Sequence, residues 1–364
     1  METFPRALEP GQARAAQPLQ LRQTFGYFAA FVSLGLAAAS MGPTLLGLAQ
    51  RLHAPLSAMS YCLTAGSVGY LLGSYQGGRL YDRVRGHPVM AGMLLVVAAG
   101  LFLVPRMPAL WLLIAVRLLM GLGQGALDVG GNTLLLWTHG AKVGPYMSSL
   151  HFFWGVGAFL SPLIIAQLLL RGAGLEGAYA ALAVLMLPPA LWLLSQPSPR
   201  HPRLAGENEP IRPARPLLVL LTAGILFLFV AVEVGLGDWI ATYAVRVGLG
   251  DNATAAYLTS AFWGALTAGR FLSIPLAIRF RPQDLLGADL LGCLLGTGVL
   301  LAAPQSAPAV WAGVLIVGVS MASVFPCTVA LAGRLMTVTG RVGGWLGVGS
   351  SAGGMVLPWI IGQL

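Results

Sequence analysis

Eleven long apolar stretches divide this sequence of 364 residues. A helix needs about 20 consecutive apolar residues to cross the hydrocarbon core of a bilayer, and these stretches have that length. The stretches cover residues 25–49, 57–80, 87–105, 109–138, 144–170, 174–194, 217–245, 252–280, 284–303, 308–335 and 340–364. Because 57% of the residues are apolar and only 9% are charged, a soluble globule of this size would lack a wettable surface. The sequence therefore predicts an all-α polytopic membrane protein.

A polar segment separates the first six stretches from the last five. Residues 195–216 are rich in Pro and Arg, and we interpret them as a cytoplasmic linker. We expect a six-helix bundle over residues 25–194 and a second bundle over residues 217–364, in which five helices are visible. Residues 1–24 are polar and lack the apolar core of a signal peptide, so we expect them to form a cytoplasmic tail.

Basic residues are distributed unevenly between the two ends of the predicted helices. If the N-terminus is cytoplasmic, fifteen basic residues lie on the cytoplasmic side and four, Arg51, Arg106, Arg171 and Arg246, on the other. Basic residues near helix ends favour the cytoplasmic side, so a cytoplasmic N-terminus is predicted. We expect the membrane to be a cell (inner or plasma) membrane. The net charge of +9 then reflects topology and contact with membrane lipids, and we expect no nucleic-acid partner.

The two sets of stretches are similar to each other at an offset of about 196 residues. Gly157 and Pro162 in the fifth stretch correspond to Gly353 and Pro358 in the eleventh, and both pairs have the spacing Gly-x4-Pro. Gly121 falls near Gly318, and Gly78-Arg79 near Gly269-Arg270 when the alignment shifts slightly. Parallel repeats with a binding site near the membrane midplane are a recurrent transporter design.

Several motifs resemble those of one transporter family. Gly78–Arg83 (GRLYDR) resembles the cytoplasmic loop motif of the major facilitator superfamily, and Arg117-x3-Gly121-x3-Gly125 resembles its fourth-helix motif. Ala126–Asn132 and His151–Pro162 look like the fucose permease branch and its animal sodium-dependent glucose transporter relatives. The resemblance implies two six-helix bundles, alternating access and a hexose or deoxyhexose as substrate. It also implies that Gly78, Asp82 and Arg83 belong to a cytoplasmic gate.

The chain departs from that family pattern in three places. The segment Arg85–Pro88 reverses the order of residues in the loop motif, and Ala37–Pro43 has no acid where fucose permease has one. The superfamily has twelve membrane-spanning helices and the second bundle here shows no twelfth. We therefore expect a truncated reading frame.

The fourth stretch carries the first candidates for a polar site. Arg117 and Asp128 fall on one helical face about 16 Å apart along the axis, together with Gly121, Gly125 and Asn132. A charge at the bilayer centre costs about 2.5–3.5 kcal/mol, so this face is predicted to point inward. Asp128 and Asn132 can offer oxygens to sugar hydroxyls or a sodium ion, or Asp128 can exchange a proton. Arg117 is expected to couple or lock helices, and Gln124 is a further binding candidate.

Other candidates lie in the fifth, seventh and eighth stretches. Glu233 is predicted to bind solute or ion, whereas Asp238 is about 140° away around the helix and is interpreted as a coupling or mouth residue. Arg270 is a predicted partner for an intramembrane acid. His151 offers a hydrogen bond, and the rings that could stack on a sugar are Trp154, Trp239 and Trp263.

These observations favour secondary active transport. We expect alternating access with symport of a sugar by a monomer, coupled to H⁺ or Na⁺. The alternatives are efflux of amphipathic compounds or lipids, and a transport-inactive receptor or scaffold. Nucleotide-binding and hydrolase motifs do not occur in the sequence, so we expect neither enzymatic activity nor a cofactor or metal site.

Overall fold

The computed structural model describes residues 10–199, 215–336 and 340–364, which are almost entirely helical. Fourteen α-helices form the described part of the chain, joined by turns, three of which are short 3₁₀ segments. In chain order they are α1 (Pro10–Ala38), α2 (Leu45–Arg51), α3 (Leu56–Tyr81), α4 (Gly86–Leu103), α5 (Leu110–His139), α6 (Val143–Leu170), α7 (Gly174–Leu185), α8 (Leu187–Leu194), α9 (Pro216–Arg246), α10 (Asn252–Arg279), α11 (Pro282–Ala302), α12 (Ala307–Ser320), α13 (Val324–Leu335) and α14 (Gly340–Gln363).

Ten helical segments in the described residues are long and apolar enough to cross a membrane, which confirms a polytopic membrane protein. The one remaining predicted stretch, the second (residues 57–80), forms α3, which is 26 residues long but less apolar than the others. Its buried positions include Gly66, Gly69, Gly73 and Gly77, because α3 packs closely against α5 and α14. Small residues at such contacts allow membrane helices to approach each other.

Four helix boundaries differ from those predicted from hydropathy. The first stretch, residues 25–49, is divided at residues 39–44 between α1 and α2. The first helix was expected to begin at residue 25, but α1 begins at Pro10, since polar residues can continue a helix beyond the bilayer. The sixth stretch is divided at Met186, just before Pro188 and Pro189, and the tenth is divided at residues 321–323. Hydropathy averages over such breaks and does not detect them. Of the predicted linker 195–216, residues 200–214 lie outside the described residues.

The internal repeat is visible in helix packing. A Cβ at Gly157 of α6 would lie 2.0 Å from the carbonyl oxygen of Val32 in α1, and one at Gly353 of α14 would lie 2.1 Å from that of Phe227 in α9. The two contacts are related by the offset expected from the sequence. In each half, the first and fifth long segments therefore pack together at a glycine, because any side chain there would clash with the facing backbone.

The third predicted correspondence of glycines was wrong. A Cβ at Gly73 would lie 2.0 Å from the carbonyl oxygen of Leu122, and one at Gly269 would lie 2.7 Å from that of Val319, so Gly73 is the counterpart of Gly269. A Cβ at Gly78 would meet no atom within 4 Å. The sequence alignment of Gly78 with Gly269 was displaced by more than one helical turn.

The helices have two common ends, which we call the basic face and the opposite face. The basic face holds the part of α1 around Gln23, the turn at residues 82–85 and the end of α8. Gln23 donates to Pro197 O at 2.8 Å, and His87 N donates to Ser198 Oγ at 3.0 Å. The opposite face holds Arg51 and Glu176, whose Nη2 and Oε1 atoms are 2.7 Å apart.

The two halves meet along the opposite face and in the middle. Gln363 Nε2 of α14 donates to Ser57 O at 3.1 Å, and Ser67 Oγ of α3 donates to Gly354 O at 3.1 Å. Ser260 Oγ of α10 likewise donates to Phe159 O of α6 at 2.7 Å. These contacts hold the opposite face closed.

Toward the basic face the two halves separate. Residues 274–280 at the end of α10 are all exposed. Cβ atoms placed at Gly144 of α6 or Gly343 and Gly347 of α14 would meet nothing within 4 Å. The interface between the halves is therefore closed at the opposite face and open toward the basic face.

Candidate functional site

The predicted polar stripe of α5 faces the interior of the protein. Asn132 Nδ2 donates to Asp128 O at 2.8 Å and to Asp128 Oδ1 at 3.3 Å, as the spacing of four residues allows. The amide nitrogen, rather than the amide oxygen, is thus turned toward Asp128. One turn earlier, Gln124 is buried, and its Nε2 has no hydrogen-bond partner among the described residues.

Two further side chains surround Asp128. The Tyr70 phenol of α3 lies against the Asp128 carboxylate and also interacts electrostatically with Glu233 of the second half. His151 of α6 interacts electrostatically with Asp128 and with Arg270. His151 is exposed although it belongs to a membrane-crossing helix. Because its charged partners lie in α5 and α10, this exposure is toward the space between the halves rather than toward lipid.

The second half contributes an ion pair. Arg270 Nη2 of α10 donates to Glu233 Oε1 of α9 at 3.1 Å. Glu233 is buried, so the guanidinium supplies the countercharge that a buried carboxylate needs. The sequence suggested an acidic partner for Arg270 but did not say which of the intramembrane acids it would be.

Aromatic rings border the same region. The Arg270 guanidinium lies 5.6 Å from the centre of the Trp154 ring, within the range of a cation–π contact. Trp154 packs edge-to-face on Trp263, with ring centres 5.4 Å apart. Trp263 is buried, and its indole N–H has no acceptor among the described residues. Phe31 of α1 packs on His151 with ring centres 5.8 Å apart.

Together these residues form what we call the central cluster: Asp128, Asn132, Tyr70, His151, Trp154, Glu233, Arg270 and Trp263. The first half supplies five of its members and the second half supplies three. They combine two carboxylates, several N–H and O–H donors and two indole rings, which suits a ligand with many hydroxyl groups. No group of three potential metal-ligating side chains (His, Cys, Asp or Glu) was found among the residues that the structure describes.

Arg117 and Asp238 form a separate group nearer the opposite face. Arg117 is buried beside Gly66, where a Cβ would lie 2.8 Å from Arg117 Nη2. It interacts electrostatically with Asp238 of α9, so a charge from each half contributes to this contact. Asp238 is half-buried, and Gly42 of the first half packs against its backbone. The group lies where the halves are closed.

The other predicted residues lie away from the central cluster. The indole N–H of Trp239 donates to Pro358 O at 3.0 Å, and the ring contacts Gly362 in α14. Its ring is used to pack α9 on α14, which does not fit the expected role in stacking on a solute. Gly78 lies in the last turn of α3 and is half-buried, whereas Asp82 and Arg83 are exposed in the following turn at the basic face.

Sequence reasoning overlooked two polar residues inside the membrane region. Tyr70 lies on the glycine-rich face of α3 that packs against α5. This run of glycines was the sequence signal that could have placed Tyr70 at a helix contact. Asp289 of α11 accepts a short hydrogen bond from Ser323 Oγ, which the break between α12 and α13 brings within reach. Because hydropathy does not detect that break, the partner of Asp289 could not have been predicted.

Comparisons with known proteins agree with this architecture. The model of the Major Facilitator Superfamily matches residues 24–358. Sodium-dependent glucose transporter 1 of Xenopus laevis is 31% identical over 362 residues, which cover 90% of this chain and 73% of that protein. Human major facilitator superfamily domain-containing protein 4A is 24% identical over 444 residues, covering 94% of this chain and 86% of that protein.

Solved transporter structures share the fold. A D-xylose-proton symporter superposes with a TM-score of 0.76 at 15% identity, covering 95% of this chain and 90% of that one. The nucleoside transporter NupG superposes with a TM-score of 0.75 at 13% identity, covering 95% of this chain and 91% of that one. At these identities the similarity is one of fold. The chain therefore belongs to the Major Facilitator Superfamily, and it is a multi-pass membrane transporter rather than an enzyme.

Proposed function

We propose that this transporter carries a small polar solute, a hexose or deoxyhexose, by alternating access with symport of H⁺ or Na⁺. The observation that carries the proposal is the central cluster, to which both halves contribute charged and hydrogen-bonding side chains. A charged side chain at the bilayer centre costs about 2.5–3.5 kcal/mol, and this cost is offset where the group faces a polar pathway. Asp128, Glu233 and Arg270 are three such groups in one region.

The composition of the cluster favours a polyol over an amphipathic solute. Asp128 and Glu233 accept hydrogen bonds from hydroxyl groups. The unpartnered N–H groups of Trp263 in the cluster and of Gln124, one turn from Asp128, donate to hydroxyl oxygens. An apolar solute would leave these groups unsatisfied at a cost of about 1–3 kcal/mol each. The name of the sodium-dependent glucose transporter relatives supports the same substrate class.

We further propose that the basic face is cytoplasmic, in a cell membrane, with the N-terminus inside. The turns at that face contain Arg83, Arg85 and Arg281, in keeping with the preference of basic residues for the cytoplasmic side. The open interface then faces the cytoplasm. In this arrangement His151, the exposed member of the central cluster, is accessible from the cytoplasmic side.

Uptake into proteoliposomes tests the proposal. Labelled glucose and fucose are offered under an inward proton gradient, an inward sodium gradient or no gradient. Accumulation above the external concentration under one gradient is expected, and that gradient identifies the coupling ion. Absence of accumulation for both sugars under all conditions, with the protein shown to be folded and inserted, would contradict sugar symport.

A further inference from the structure

A second polar pocket lies at the basic face, outside the central cluster. It has a volume of about 250 Å³ and lies between the early part of α1, the end of α5 and the start of α6. Its lining residues are Gln20, Leu21, Thr138, His139, Lys142 and Tyr146. All of them belong to the first half, so the pocket persists when the two halves move relative to each other.

Hydrogen bonds within the protein fix one wall of this pocket. Gln20 Nε2 donates to Thr138 O at 3.2 Å, and Thr24 Oγ1 donates to Gln20 O at 2.7 Å. Since the Thr24 hydroxyl proton is used there, Thr24 Oγ1 accepts from His139 Nε2, which lies 2.7 Å away. The His139 ring stacks on Tyr146, with centres 3.7 Å apart and planes 12° from parallel. These side chains are therefore held in place.

Two hydrogen-bond donors of the pocket remain free. Among the described residues, neither the Lys142 ammonium nor the Tyr146 hydroxyl has a hydrogen-bond or ion-pair partner, and none of those that line the pocket carries a carboxylate. Lys142 is the only lysine in the sequence. An ammonium and a phenol without acceptors favour an anion with several oxygen atoms, such as a phosphate group.

The position of the pocket places it at the boundary between water and hydrocarbon. α5 ends at His139 and α6 begins at Val143, and both segments cross the membrane, so Lys142 lies in the turn between them. Leu21 and Phe25, one turn apart on α1, are 44% and 61% exposed. An apolar strip therefore leads from the pocket along α1 toward the hydrocarbon.

We propose that this pocket binds the phosphate of an anionic phospholipid. Lys142 and Tyr146 contact the phosphate oxygens, and the acyl chains lie along Leu21 and Phe25. Basic pockets at the cytoplasmic ends of transmembrane helices bind anionic headgroups. A zwitterionic lipid binds less tightly, because its ammonium group finds no carboxylate among the described residues that line the pocket. One basic residue near the surface gives a preference of about fivefold for the anionic lipid.

The single lysine provides a direct test. The full chain is reconstituted in vesicles of phosphatidylcholine alone or of phosphatidylcholine mixed with phosphatidylglycerol. It is then treated with a water-soluble amine-reactive ester, and peptide mass spectrometry separates Lys142 from the N-terminal amine. We expect Lys142 to react about fivefold more slowly in the vesicles that contain phosphatidylglycerol. Tyr146→Phe, which keeps the stacked ring, should reduce this protection.

An anionic surface slows amine modification everywhere, so a second amine on the same face serves as the reference. Arg279→Lys introduces one at the exposed end of α10, away from the pocket. Equal slowing at positions 142 and 279 would overturn the proposal, as would no slowing at either. Protection of Lys142 by inorganic phosphate in phosphatidylcholine vesicles would overturn the lipid assignment and identify a site for free phosphate.

Discussion

Removal of either charge of the Arg270–Glu233 ion pair is expected to destabilise the protein, but by unequal amounts. The atoms Nη2 and Oε1 are 3.1 Å apart, and the Arg270 and Glu233 side chains are 24% and 11% exposed. Glu233 is thus the more deeply buried partner. Removing its countercharge therefore costs more free energy than removing that of Arg270, because water cannot replace the guanidinium at a buried carboxylate.

The distance gives the scale of the effect. Two unit charges 3.1 Å apart attract each other by about 5 kcal/mol at an effective dielectric constant of about 20, before the cost of desolvation is subtracted. Arg270→Gln leaves an uncompensated buried carboxylate and is expected to lower the free energy of unfolding by about 3–5 kcal/mol. Glu233→Gln leaves a guanidinium that is more exposed and keeps its contact with Trp154, so about 1–3 kcal/mol is expected.

A double-mutant cycle measures this interaction. The free energy of unfolding is measured in mixed micelles with increasing denaturing detergent for the wild type, both single variants and the double variant. The double variant should lose about 2 kcal/mol less than the sum of the single variants, since it leaves no unpaired charge. Additivity within about 0.5 kcal/mol, or a larger loss for Glu233→Gln than for Arg270→Gln, would refute the reasoning.

Two further predictions concern packing. Trp239→Phe should lower the free energy of unfolding by about 1 kcal/mol, because the hydrogen bond to Pro358 O is lost, and should leave sugar uptake unchanged. Loss of uptake in a folded variant would show that Trp239 takes part in transport. Gly157→Val should sharply reduce the yield of monodisperse protein in size-exclusion chromatography, because a Cβ there would lie 2.0 Å from Val32 O. Gly144→Val, where a Cβ meets nothing within 4 Å, should not reduce the yield. Equal yields would contradict the packing of α6 on α1.

The positions of most helices could be predicted because hydropathy reports directly on the bilayer. The stretches predicted at 217–245 and 252–280 correspond to Pro216–Arg246 and Asn252–Arg279. Hydropathy is insensitive to helix breaks that do not change polarity, which explains why the breaks at residues 39–44, at Met186 and at residues 321–323 were not predicted. The start at Pro10 was not predicted because residues 10–24 are polar although helical. Tyr70 and the pairing of Asp289 with Ser323 were overlooked because they depend on contacts between helices, which hydropathy does not report.

The candidate site could be predicted in part. Charged residues within apolar stretches identified Asp128, Glu233 and Arg270, because the cost of burying charge restricts such residues to interior positions. The residue types alone did not reveal which charges meet. Arg117 shares a helical face with Asp128, yet its electrostatic partner from the second half is Asp238. Trp239 and Trp263 were equivalent as sequence candidates, and only packing distinguishes the first from the second.

The most direct test of the central claim compares two aspartate variants in the proteoliposome assay. Asp128→Asn removes the carboxylate of the central cluster, and Asp284→Asn removes an exposed carboxylate in the first turn of α11 as a matched control. The account predicts that Asp128→Asn abolishes gradient-driven sugar accumulation while the protein stays folded and monodisperse, and that Asp284→Asn accumulates sugar like the wild type. Undiminished accumulation by Asp128→Asn would contradict the claim that solute and ion are coupled at this cluster.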